Sequence, residues 1–324
     1  MIYVVGNSRS GTKLIGDILG NSPEIFTFTE LHFIEYLIAP DNLFKCCSEE
    51  KAIELIAKLF SIQENGFLGP SKFSQHSLEK FILVAEAVLE KFTCSKYIDC
   101  YLAFLNYYTT IVKNKKIACN PTPRKHYFIK EIKKVDPAAF FIYEVRDPRA
   151  VLLSQKKKYL GSKNSKSKFE VYRTFFNYHP IVTSYLWRSS IKNYLKYNNH
   201  LYSIKYEDFV ENPNKIIESL FNHLKIAYDP NYLKVTRSNS SFISSNKLKG
   251  IYKTNKDLRQ IELRPSEIFL YQTINKKLLS IFNYGLVNRR ANIVYITMYL
   301  LYLPFYLILT NIMNFNKYKM FLNQ

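Results

Sequence analysis

The opening of the chain constrains its fold more than any other stretch. Residues 2–5 (IYVV) form a short β-branched run, Gly6-Asn-Ser-Arg9-Ser-Gly11-Thr12-Lys13 follows, and Leu14, Ile15, Ile18 and Leu19 then recur at helical spacing. The order is strand, turn, helix. A turn of this kind points successive backbone N–H groups, with the positive end of the helix dipole, at a phosphate or sulfate. The loop is close to the Walker A pattern GxxxxGK[ST], but Thr12-Lys13 stands where Lys-Thr is required, so the register of an ATP-binding lysine is lost. Arg9 lies inside the loop instead, where a guanidinium forks onto anionic oxygens. Taken alone, the segment also fits an ordinary strand-to-helix turn.

Two further strands are expected. Residues 139–145 (AFFIYEV) are an apolar run broken only by Glu144, ending in Arg146-Asp147-Pro148-Arg149 before a helical pattern. Residues 201–205 precede Tyr206-Glu207-Asp208-Phe209. Strands alternating with helices predict an α/β, P-loop-like fold of three layers with a central parallel sheet, whose polar turns gather at the carboxyl ends of the strands. Between the first two strands, residues 35–135 read mainly as helices, with apolar positions spaced by three and four over 51–60, 78–92 and 101–112. This is read as a helical insertion after the first βα unit. A lysine-rich stretch at 156–168 reads as a loop.

At 324 residues the chain has room for one large domain with an appendage, read here as a domain over 1–288 and an apolar tail over 289–324. The formal net charge of +20 draws nucleic acid, acidic headgroups and anionic small molecules alike, so it names only the sign of the partner. Cys46, Cys47, Cys94, Cys100 and Cys119 are odd in number and irregularly spaced, without a zinc-type pattern, which suits a reduced, cytosol-facing setting and no metal. The first residues lack the features of a secretory leader, so the folded part is expected to begin at once.

The loop residues Gly6, Arg9, Ser10, Gly11, Thr12 and Leu14 resemble the G-x-P-R/K-S-G-T-T/S-x-L loop of sulfotransferases that use 3'-phosphoadenylyl sulfate (PAPS), with departures at Asn7-Ser8 and Lys13. Arg146-Asp147-Pro148-Arg149 with Ser154 resembles the R-D-P-R-x-x-x-x-S motif of the same family. Physically, Arg146 supplies a charged fork, Pro148 suits a first helical turn and Ser154 adds a neutral donor. On residues alone, the second motif also reads as a capped helix start whose arginine pairs with the adjacent acid.

The resemblance implies that Arg9, Ser10, Gly11, Thr12 and Lys13 surround the 5'-phosphosulfate, and that Arg146 and Ser154 bind the 3'-phosphate. It implies PAPS as sulfuryl donor and, from Lys249-Gly250, a loop closing over the nucleotide. Thr122-Pro123-Arg124 stands where the family often has K-T-P-R, so a lysine is missing, with Lys13, Arg124 or Lys125 as candidate replacements. Trp187, Tyr206-Glu207-Asp208 and Asn212-Pro213 match family positions expected to pack and position.

Sulfuryl transfer needs a base for the acceptor proton. Glu30, in Thr29-Glu30-Leu31-His32-Phe33, resembles the catalytic Glu of carbohydrate and tyrosyl-protein sulfotransferases; His32 is the rival base, and an acidic helix cap is the bland alternative. Arg9 is assigned to catalysis as well as to donor binding. The expected acceptor is a hydroxyl or amine of a glycan, glycolipid or similar molecule. Competing classes are a P-loop kinase, which wants a lysine directly after Gly11, and a basic nucleic-acid binder. The aromatics follow apolar periodicity and no nucleic-acid motif is present, so no nucleic-acid partner is expected.

Residues 291–316 carry no charge and are flanked by Arg289-Arg290 and by Lys317 and Lys319. Such a stretch can cross about 30 Å of hydrocarbon, but Pro304, Thr297, Thr310 and Asn311 oppose spanning. Membrane contact from the cytoplasmic side is the expectation, and a buried helix pair broken at Pro304 is the alternative.

Overall fold

In the computed structural model, which describes residues 1–66, 75–158, 168–235, 251 and 262–313, five short strands make one sheet. They are β1 (Ile2–Gly6), β2 (Ile25–Thr27), β3 (Ile117–Asn120), β4 (Phe140–Val145) and β5 (Tyr202–Lys205), in the order β2-β3-β1-β4-β5. Parallel registers pair Ile2 with Cys119, Ile25 with Ile117 and Ile142 with Tyr202. Every residue of β1 is buried, as a parallel sheet covered on both faces requires. The chain winds from β1 out to β2, returns through β3 and crosses to β4 and β5. The strand order therefore reverses between β1 and β4, the place where open α/β sheets hold their ligands.

The α/β class, the parallel sheet, the helical insertion and the apolar C-terminal helix are as read from the sequence. The extent of the insertion is corrected. Helices α2 (Glu49–Asn65), α3 (Gln75–Lys91) and α4 (Tyr97–Tyr107), with a π turn at Tyr108–Val112, end before β3, which returns to the sheet between β2 and β1. β2 and β3 have 3 and 4 residues, too short to display a period.

By contacts the chain divides into two compact units, Met1–Val4 with Ile15–Phe141 and Val5–Leu14 with Ile142–Asn314. In the first, Ser48 caps α2 by accepting from the Lys51 N–H at 3.3 Å, Glu49 and Glu50 face the helix dipole, and Gly66 at φ 73° ends the helix. Phe60 and Phe28 pack on Phe104 with ring centroids 5.0 and 5.7 Å away. Each such side chain contributes roughly 1.5–3 kcal/mol on full burial.

The second unit contains α6 (Pro148–Lys156), α7 (Lys168–Phe176), α8 (Pro180–Tyr197), α9 (Tyr206–Glu211), α10 (Pro213–Leu224), α11 (Pro265–Ile281) and α12 (Ile293–Met313). Proline opens α6, α8, α10 and α11, where its missing N–H costs nothing. Buried Trp187 of α8 meets the Tyr271 ring of α11 at 5.9 Å. Glu267 is fully buried and satisfied, accepting from the Arg264 N–H at 2.8 Å, Lys156 Nζ at 2.8 Å, Tyr178 OH at 2.9 Å and Tyr299 OH at 3.0 Å. Most of the lysine-rich stretch read as a loop, residues 159–167, lies outside the described residues.

α12 has two kinds of surface. Tyr295, Tyr299, Tyr302 and Tyr306 recur at spacings of four and three and make one stripe. That stripe faces the unit: the Arg264 guanidinium lies 4.7 Å from the Tyr295 ring, Tyr299 reaches Glu267, His179 Nε2 contacts the Tyr299 carbonyl oxygen at 3.0 Å and Tyr306 OH donates to the Asn177 carbonyl at 3.3 Å. The rest of the circumference is mostly apolar and exposed, through Ile293, Val294, Met298, Leu301, Phe305 and Ile308 among others, with Thr297 and Asn311 as exposed polar residues.

Candidate anion-binding site

The loop between β1 and α1 (Thr12–Gly20) takes three residues of positive φ, Gly6 at 154°, Arg9 at 73° and Gly11 at 122°. Two of these must be glycine. A Cβ on Gly6 would meet the Glu144 carbonyl oxygen at 2.5 Å, and one on Gly11 would meet Glu144 Oε1 at 2.6 Å and the Tyr206 ring at 2.9 Å. The loop is thus pressed onto the end of β4 and the start of α9. Thr12 is buried at the first residue of α1, and Lys13, the second, is half-buried.

β4 delivers Arg146 beside this loop. Its Nη1 donates to the Arg9 carbonyl at 2.8 Å, its guanidinium lies 4.0 Å from the Tyr206 ring centroid, and its own carbonyl accepts from Trp187 Nε1 at 3.1 Å. Arg9 Nε in turn donates to Ser154 Oγ of α6 at 2.9 Å. Arg9, Arg146 and Ser154, far apart in sequence, are therefore brought together.

The adjacent acid is accounted for elsewhere. Asp147 caps α6 by accepting from the Arg149 N–H at 2.9 Å, and the Arg149 side chain forks onto it through Nε at 3.0 Å and Nη2 at 2.8 Å. Glu207 accepts from the Asp147 N–H at 3.0 Å and from Tyr284 OH at 2.9 Å. The capped helix start is real, but Arg149, and not Arg146, forms its ion pair. Arg146 keeps its positive charge toward the loop. Ser10 Oγ and Arg146 Nε are buried there without a hydrogen-bond partner, two donor groups of the sort that an anion's oxygens satisfy.

Glu30 and His32 lie in the first unit, just past β2. Glu30 Oε2 stands 3.2 Å from His32 Nε2; the Glu30 side chain is 45% exposed and that of His32 16%. His32 adopts φ 48° and precedes the π turn Phe33–Leu37 without a side-chain cap bond, so the polar partner of Glu30 here is a histidine and no helix end. His32 Nδ1 is buried. Of the two candidates, Glu30 presents the accessible basic atom.

The candidates for the missing lysine separate. Lys125 is buried with its ammonium 4.1 Å from the Tyr101 ring centroid, in the interior of the first unit, while Arg124 is exposed. Burial, aided by Arg124, pushes the neighbouring His126 down to about 3. Lys249-Gly250 lies outside the described residues.

One buried group at the loop was overlooked by the sequence reading. Glu144, in β4, sits against Gly11 with 1% of its surface exposed. Its only sequence signal is that it is the one acid in an apolar strand.

A sulfotransferase-family profile matches residues 2–230. Among solved structures, the sulfotransferase domain of the Synechococcus PCC 7002 olefin synthase is similar at 17% identity and TM-score 0.53, over 89% of this chain and 95% of that one. The sulfotransferase domain from the curacin biosynthetic pathway has 17% identity and TM-score 0.49, over 89% and 98%. A sulfotransferase from Alicyclobacillus acidocaldarius has 13% identity and TM-score 0.44, over 88% and 96%. A search of curated proteins found no match.

Proposed function

Since the chain belongs to the sulfotransferase family, we propose that it transfers a sulfuryl group from PAPS to a hydroxyl or amine of an acceptor such as a glycan or glycolipid, with Glu30 as base. The observation that carries this reading is the convergence of Arg9, Arg146 and Ser154 on one glycine-dependent loop at the strand-order reversal. Two guanidinium groups and the N-terminus of α1 suit a donor with phosphate groups at both ends. Arg9, Ser10, Gly11, Thr12 and Lys13 would hold the phosphosulfate, and Arg146 with Ser154 the 3'-phosphate. Lys249 and Gly250 are kept as family-derived contacts.

In the reaction the acceptor oxygen or nitrogen attacks sulfur in line, its S–O or S–N bond forms as the S–O bond to the donor phosphate breaks, and 3',5'-ADP leaves. The acceptor proton passes to Glu30, and His32, 3.2 Å away, orients that carboxylate. Arg9 neutralises charge gathering on the departing phosphate. A P-loop kinase or a nucleic-acid-binding protein is not favoured by the family match. Calorimetry tests the donor assignment: 3',5'-ADP is expected to bind without magnesium and in preference to ATP, and tighter binding of magnesium ATP would remove it.

We also propose that α12 rests on a membrane. Its 21 residues have a window of mean hydropathy 1.8 with only 6% of that window buried. A narrow apolar stripe would suit one partner helix, whereas a broad, mostly apolar surface outside the tyrosine stripe suits lipid. The bonds of that stripe to Glu267, His179 and Asn177 support a helix held along its own unit, which suits a surface-lying segment better than a spanning one. In vesicle flotation the full chain is expected to rise with lipid and a chain ending at Asn288 to stay behind. If both stay behind and the shortened chain unfolds, α12 belongs to the core.

A further inference from the structure

We propose that Glu144 acts as a neutral carboxylic acid seated behind the phosphate loop, so that donor binding persists only while Glu144 keeps its proton. The inference rests on the sulfonucleotide reading given above, and it assigns a positioning role to a residue outside both loop motifs.

Glu144 is next to last in β4, and Arg146 follows directly after the strand. Its Oε1 occupies the space where a Cβ of Gly11 would fall, 2.6 Å from it, and the Tyr206 ring closes the same space. Neither carboxyl oxygen has a hydrogen-bond partner, and the residue is 1% exposed. Glu267, buried in the same unit, shows what a well-partnered interior carboxyl gathers around itself: a lysine, two tyrosine hydroxyls and a backbone N–H. Glu144 has gathered none of these. An isolated carboxylate in such a place is far costlier than its acid form.

The charged groups around it agree. Burial, the largest influence, holds the carboxyl well above its ordinary 4.5, while Arg146, just past the strand, favours ionisation and Glu207 on α9 opposes it. The Tyr206 ring, from α9, closes the other side of the space behind Gly11. A protonated Glu144 leaves the positive charge of Arg9 and Arg146 uncancelled for a bound anion. Once ionised, it sets a negative charge directly behind the loop, repelling that anion and seeking donors the loop must then supply. Leucine would fill the space without this dependence on pH.

The sign for stability follows from linkage. A carboxyl whose value is raised by folding gives its full contribution below 4.5 and loses it as pH climbs through the folded-state value. Glu144→Gln removes that loss. Melting temperatures of the wild-type protein are therefore expected to fall, relative to the E144Q protein, as pH rises from 4.5 into the alkaline range. Over the upper part of that range the wild-type affinity for 3',5'-ADP, measured by calorimetry, is expected to drop about tenfold or more, and this ratio to collapse toward one in E144Q.

Parallel melting and binding profiles for the two proteins would overturn the proposal. Diverging melts with no 3',5'-ADP binding at any pH would also overturn it, by removing the donor reading on which it stands. Should E144Q fail to fold, wild-type binding repeated at the alkaline pH where its affinity falls, in buffers of different ionisation enthalpy, decides. The nucleotide phosphates are fully ionised there, so net proton uptake supports Glu144 and its absence refutes it.

Discussion

Glu30→Gln is expected to keep the affinity for 3',5'-ADP while lowering turnover about a hundredfold or more, because the substitution removes a base but no donor contact. Glu30 is the accessible member of its pair: its side chain is 45% exposed, whereas His32 turns Nε2 toward it and has Nδ1 buried. A carboxylate beside a histidine is held in one orientation, which a base needs if it is to meet the acceptor proton. Glutamine preserves the shape and the contact to His32 but has no basic oxygen of comparable strength. His32→Ala should cost less, about tenfold, since it loosens the orientation of Glu30 and leaves its basicity in place. Turnover of both variants under saturating donor would separate the roles. Near-normal rates in E30Q together with a large loss in H32A would transfer the base to His32.

The sequence disclosed β1 and β4 better than β2 and β3, and for a physical reason. β1 and β4 are continuous apolar runs that end in glycine or in Arg146-Asp147-Pro148, so composition changes sharply where the strand stops. β3 follows a basic stretch, Lys113-Asn114-Lys115-Lys116, and its four residues include Asn120. Such a segment looks like the end of a helical insertion until its register with Ile2 and Tyr3 is known. The loop and Arg146 were legible because their chemistry is local. That Arg149 takes Asp147 was not, since Arg146 is the immediate neighbour of the acid and only the turn into α6 brings Arg149 onto it instead. Glu144 was visible as an interruption in an apolar strand, but its lack of partners is a property of the packed interior.

A second large effect is expected at the arginine itself. Replacing Arg146 and Ser154 together with Ala should weaken 3',5'-ADP far more than 5'-AMP, because a charged hydrogen bond contributes about 1.5–3 kcal/mol and only the first nucleotide has a 3'-phosphate to lose it. That is roughly 10- to 150-fold in affinity. The geometry complicates the double variant. Arg146 also braces the loop through the Arg9 carbonyl at 2.8 Å, so part of its loss falls on both nucleotides alike. Ser154→Ala isolates the remainder: it removes one neutral hydroxyl, bonded here to Arg9 Nε at 2.9 Å, and leaves the Arg146 brace intact. A loss of about 0.5–1.5 kcal/mol for 3',5'-ADP, with a smaller one for 5'-AMP, is expected from that single change. If the double variant weakens both nucleotides equally and S154A weakens neither, Arg146 serves only to hold the loop, and the 3'-phosphate must be read by other residues.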